Sequence, residues 1–156
     1  MSALSSTTAA AFYVWPWVRR LKSDRALAVL VSPHLFLRFI GLSFLVPGVA
    51  APSLPPAFAI PAAYGDLVAG ILAIIATFAL ASHALWAGVA VWVFNVWGAA
   101  DLLYALVEGL RVIEDPGDLG ATFFIPTAIV PPLLVTHALI FLILLRAERS
   151  AERQAL

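Results

Sequence analysis

Residues 67–100 read LVAGILAIIATFALASHALWAGVAVWVFNVWGAA, 34 residues without a single Asp, Glu, Lys or Arg. As one helix this stretch would be about 51 Å long, whereas about 20 residues suffice to cross about 30 Å of bilayer hydrocarbon. It must fold back on itself, and the polar Ser82-His83 pair is the expected turn. Outward from it, residues 26–37, 39–65 and 119–145 are charge-free as well. The pattern predicts an all-α fold, a four-helix transmembrane bundle with helices at about 27–50, 64–82, 85–107 and 122–146. Residues 1–26 then form an N-terminal interfacial segment, 27–146 the membrane domain and 147–156 a short tail.

Composition agrees with that reading. Hydrophobic residues make up 63% of the 156 and charged residues 12%, against about 45–50% and about 25% in soluble domains. Nine basic residues balance nine acidic ones, so no basic excess supports nucleic-acid binding. The absence of cysteine excludes disulfides, thiolate metal sites and cysteine nucleophiles. Neither GxGxxG, a P-loop nor GxSxG occurs, and no HxxxH or ExxH pair is present to hold a metal.

Basic residues set the expected orientation. Arg19, Arg20, Lys22 and Arg25 precede the first span, and Arg146, Arg149 and Arg153 follow the last. The far-side loops hold only Arg111. Both termini are therefore expected at the cytoplasmic face of an inner membrane. The stretch 9–18, AAAFYVWPWV, lacks the basic region that opens a signal peptide, and its aromatic residues beside Arg19-Arg20 suit an interfacial anchor. Pro52, Pro55, Pro56 and Pro61 argue against a continuous helix, so 51–66 is expected to lie on the outer surface.

Ionisable side chains at membrane depth need a partner or a wet cavity. Those of this chain are His34, Arg38, Asp66, Asp101 and His137, with Asn95 as a neutral addition. Arg38 and Asn95 fall near the midplane, and Asp101 is within side-chain reach of Arg38. That pair either fixes helix register or lines a ligand or proton site. Asp66, after Tyr64-Gly65, reads as the N-cap of the second helix. His34 and His137 lie at similar depth, which makes bis-imidazole haem ligation conceivable, but a polar helix–helix hydrogen bond accounts for either equally. Pro131-Pro132 should kink the fourth helix, and the kink is expected to open a cavity bordered by His137, Asn95 and Arg38. Trp97 and Asp101 share a helix face, and Gly98 permits close approach of a neighbour.

The segments Arg38-x-x-Gly41-x-x-Phe44, Pro61-Ala-Ala-Tyr64-Gly65-Asp66, Asn95-x-x-Gly98-x-x-Asp101-Leu102 and Pro131-Pro132…His137 resemble small bacterial four-span membrane proteins without an established activity. The resemblance covers about 34–146 and implies the topology and the choice of polar residues, with no chemistry attached. The function expected from the residues is an intramembrane polar site that binds or moves a small amphipathic or lipidic ligand. In it Arg38 would hold an anionic or carbonyl group, Asp101 would balance the arginine, and Asn95 with His137 would orient the ligand. Two alternatives stand beside it: an accessory subunit of a larger membrane complex or homo-oligomer, and a haem- or quinone-linked redox protein.

Overall fold

The computed structural model describes residues 2–155. Among these, four helices are long and apolar enough to cross a membrane: Ser23–Leu45, Pro56–Ala81, Ala87–Val112 and Ile125–Ser150. The chain is an all-α four-helix bundle and a multi-pass membrane protein. Its outward faces carry Phe36, Ile71, Phe78, Val89, Val93 and Leu103, all exposed, as a surface facing hydrocarbon requires.

The second and third helices form the antiparallel hairpin that the 34-residue charge-free stretch demands. The second ends at Ala81 and the third begins at Ala87. Without a glycine in the turn, His83 takes the left-handed conformation (φ 51°). Ser82 closes the helix end, its Oγ donating to Phe78 O at 2.8 Å. The second helix packs through small residues, with Ala69, Ala73, Ala76 and Ala79 all fully buried. Spacings of three and four align them on one face, where the neighbouring backbone can come close. On the third helix Val91, Phe94, Asn95, Gly98 and Leu102 are the buried stripe.

The second helix starts at Pro56, well before the expected residue 64, which corrects the reading of 51–66 as a surface segment. Pro56 occupies the first helical position, where no intrahelical bond is lost, and only Pro61 lies inside. Asp66 consequently sits in mid-helix and caps nothing.

The first span is broken rather than continuous from 27 to 50. An α-helix, Ser23–Val31, stops before Pro33, and a short turn His34–Leu37 leads into a 3-10 helix, Arg38–Leu45. Pro33 cannot donate to Val29 O, and the Ser32 hydroxyl does so instead at 2.9 Å. In 3-10 geometry residues three apart eclipse one another. Arg38, Gly41 and Phe44, the buried residues of that helix, line up on one face.

The fourth span opens with a wide π turn, Ile125–Ile129, and continues as α-helix from Val130. At the same end the two longer loops are tied together: Ala121 N donates to Val49 O at 2.8 Å and Ser53 Oγ to Asp118 Oδ1 at 2.5 Å. The N-terminal segment is helical over Ser2–Ala9, passes through a π turn at Ala10–Val14 and ends at Val18. It packs lengthwise along the fourth helix: Ala10 and Val18 join the buried cluster that includes Leu139, Ile140 and Leu144.

Two apolar clusters fill the bundle. One contains Leu27, Leu30, Ala73, Phe94 and Ile140; the other contains Phe44, Phe58, Leu102, Leu119 and Leu133. Along the four spans the buried residues His34, Arg38, Asp66, Asn95 and His137 fall between these two clusters, forming a single polar layer.

Candidate functional site

Arg38 is the centre of that layer and has no solvent-exposed surface. Its Nη1 donates to Asp66 Oδ1 at 2.6 Å and to Asp101 Oδ2 at 2.8 Å. Its Nη2 donates to the Gly98 carbonyl and, at 3.0 Å, to His137 Nε2. Four of the five guanidinium N–H bonds are thus engaged, and among the described residues Nε alone finds no partner. The Arg38–Asp101 pair is present as the depths of the two residues suggest. Asp66 joins it as a second carboxylate, in place of the capping role expected of it.

The chemistry of the donors fixes the state of the histidines. A guanidinium only donates, so His137 Nε2 accepts, and the ring is neutral with its proton on Nδ1. That proton goes to Asn95 Oδ1 at 2.7 Å, and Asn95 Nδ2 returns a bond to the His137 carbonyl at 3.2 Å. Thr136 Oγ1 donates to Leu133 O at 2.7 Å, so His34 Nε2, 2.9 Å from that oxygen, is the donor in their contact. His34 Nδ1 is left as a buried acceptor without a partner among the described residues. The two imidazoles touch, their centroids 4.5 Å apart, and Phe94 packs on both. Rings in contact leave no gap between them for a haem plane. Among the described residues no group of three His, Asp or Glu side chains could hold a metal.

Three glycines from three helices make room for these side chains. A Cβ on Gly41 would collide with the Asp66 carboxylate, and one on Gly65 with the Asp101 carboxylate. At Gly98 it would fall 2.6 Å from the His137 ring and 2.8 Å from Arg38 Nη2. Arg38, Asp66, Asp101 and His137 therefore each rest against a bare backbone.

The four expected site residues, Arg38, Asn95, Asp101 and His137, are brought together by the fold. The cavity expected beside His137 is not what the proline pair produces. His137 is 1% exposed with both ring nitrogens bonded to protein groups. The opening beside Pro131 lies elsewhere, between the fourth helix and the N-terminal segment, and Pro126, Leu134, Ala138 and Ala10 line it. Nor is Arg38 free to hold an anion, since its bonded N–H groups go to protein acceptors. The remaining capacity is on the carboxylates. Among the described residues nothing donates a hydrogen bond to Asp66 Oδ2 or Asp101 Oδ1, and each side chain keeps 10% exposure. Sequence reasoning missed Asp66 as a partner, although two carboxylates and one arginine at membrane depth are a count that signals it.

The family described as Domain of unknown function (DUF8737) matches residues 1–145, and the chain belongs to it. Comparison with curated proteins and with solved structures finds no match.

Proposed function

We propose, for this member of the DUF8737 family, that the polar layer is an intramembrane site that binds or moves a small amphipathic ligand through its cationic, hydrogen-bond-donating end. The observation that carries the reading is the charge count. Two carboxylates face one guanidinium, so with both ionised the layer holds one negative charge in excess, and each carboxylate keeps one oxygen unbonded. In apolar surroundings such an excess is removed by a proton on one carboxylate or met by a bound cation or strong donor, and a cationic ligand would take the place of that proton. Asp66 and Asp101 are the receiving residues; Arg38 holds them in place, and His137 with Asn95 fixes the arginine's other edge. Basic residues flanking the first and last spans support termini at the cytoplasmic face of an inner membrane. Reporter fusions at residue 156 and near residue 116 give opposite sidedness on this reading.

The test uses the full chain in detergent and three eight-carbon probes: octylammonium, octanol and octanoate. Octylammonium raises the unfolding temperature, octanoate does not, and Asp101→Asn, which keeps the shape, abolishes the rise. No rise in the natural protein, or an equal rise in Asp101→Asn, overturns the proposal. A second reading, an accessory subunit of a larger membrane complex, is favoured by the bonded state of Arg38 and His137 together with the apolar outer faces. It requires co-purification of larger membrane proteins in mild detergent at fixed stoichiometry.

A further inference from the structure

Of three openings between the N-terminal segment and the fourth helix, two share Trp15 and Arg146. The smaller, of about 280 Å³, is polar at its mouth, with Arg19, Ser23, Arg146 and Ser150 around it and no acidic residue in its wall. The larger, of about 700 Å³, is walled by Ala10, Leu106, Pro131, Leu134 and Ala138, and among the described residues Arg146 is the one charged side chain that lines it. The Arg146 guanidinium lies over the Trp15 ring, 5.0 Å from its centroid, which holds the cation at the junction of the two. Among the described residues neither Arg19 nor Arg146 forms an ion pair. The nearby carboxylate of Glu148 instead accepts from Trp92 Nε1 at 3.0 Å.

We propose that this junction is a seat for an anionic phospholipid, the phosphate between Arg19 and Arg146 and one acyl chain in the apolar groove. Charge complementarity selects the headgroup: two unpaired guanidiniums bind phosphate oxygens by charge-assisted, planar hydrogen bonds. Length selects the tail. From Arg146 to Pro131 the helix rises about 22 Å, enough to follow a chain through the roughly 15 Å depth of one leaflet. The tryptophan at the junction sits where headgroup and hydrocarbon meet. This seat is separate from the polar layer and does not depend on the ligand proposed there.

Quenching of tryptophan fluorescence by acyl-brominated lipids tests the seat. The full chain is reconstituted in dioleoylphosphatidylcholine vesicles containing a small, equal mole fraction of brominated phosphatidylglycerol or brominated phosphatidylcholine. Phosphatidylglycerol quenches several-fold more, and Trp15→Phe removes the excess, identifying the reporting indole. The excess disappears in Arg19→Gln/Arg146→Gln and survives in Arg19→Lys/Arg146→Lys. Ala138→Phe, which fills the groove and leaves both arginines in place, lowers it as well. All of these positions except Trp15 are exposed, so the variants fold. Equal quenching by the two lipids overturns the proposal, as does an excess that survives the glutamine variant or is untouched by Ala138→Phe.

Discussion

Two of the four spans are interrupted next to proline, and the two interruptions have opposite outcomes. At Pro33 the first span rewinds as a 3-10 helix whose eclipsed face carries Arg38, Gly41 and Phe44 inward. Before Pro131-Pro132 the fourth span opens in a π turn, and the space beside it faces the N-terminal segment and is mostly apolar. Both breaks forgo backbone hydrogen bonds. What separates them is the neighbourhood. The first break carries Gly41 against Asp66, meets Gly98 beside Arg38 and His137, and fills with polar side chains, whereas the second meets alanine, leucine and proline. A proline marks a break; the residues across from it decide whether the break becomes a polar centre.

The largest effect belongs to the first break. Arg38→Leu leaves Asp66 and Asp101 buried without their cation, and loss of one partner of a buried pair costs about 3–5 kcal/mol. Thermal unfolding in detergent measures it. The triple variant Arg38→Leu/Asp66→Leu/Asp101→Leu recovers most of the loss, because apolar replacement of a whole ionic group is often neutral. A triple variant no more stable than Arg38→Leu breaks the comparison, since the layer would then not act as a unit.

How much of this was legible follows from the same residues. Charge-free lengths and the polar Ser82-His83 pair define the four spans and the central hairpin, because hydrocarbon thickness leaves few alternatives. The meeting of Arg38 with Asp101 could be read from depth alone. Asp66 could not, because four prolines between 52 and 61 read as a barrier, while Pro56 in fact opens the helix. The x-x spacing of Arg38, Gly41 and Phe44 is the period of a 3-10 helix, a signal that was open to view but is masked by the surrounding apolar residues. The lengthwise packing of the N-terminal segment on the fourth helix was hidden for a different reason. A short aromatic stretch beside arginines has the same pattern whether it lies on a membrane or along a helix.

The next effect in size contrasts the polar layer with an open stretch of the third helix by a single methyl group. Gly98→Ala drives a Cβ into the His137 ring and costs about 1–3 kcal/mol, as overpacking does. Gly88→Ala, with no heavy atom within 4 Å of the added carbon, stabilises by up to about 1 kcal/mol through helix propensity. Chemical unfolding curves of the two side by side sharpen the contrast, and equal effects remove it. A smaller change is expected at His34, whose Nδ1 is already without a partner. His34→Phe discards one hydrogen bond and one orphaned acceptor together, for a net change of about 1 kcal/mol or less. A melting point lowered as far as in Gly98→Ala would make His34 an equal member of the layer. The smallest effect is at the second break. Ala138→Leu, on the exposed wall of the groove, changes stability by about 0.5 kcal/mol at most. A larger loss, read by hydrogen exchange of the fourth helix, would mean that this region is packed as tightly as the first.

The order in which the partners of Arg38 leave the ribosome adds a consequence for biosynthesis. Arg38 precedes Asp66 by 28 residues, Asp101 by 63 and His137 by 99. A lone arginine at the centre of a newly made helix disfavours its release into lipid by about 2.5–3.5 kcal/mol. The first span is therefore best delivered to the bilayer together with the helices that follow it. Translocation and tertiary assembly become one event, complete only when the last helix brings His137 to the guanidinium.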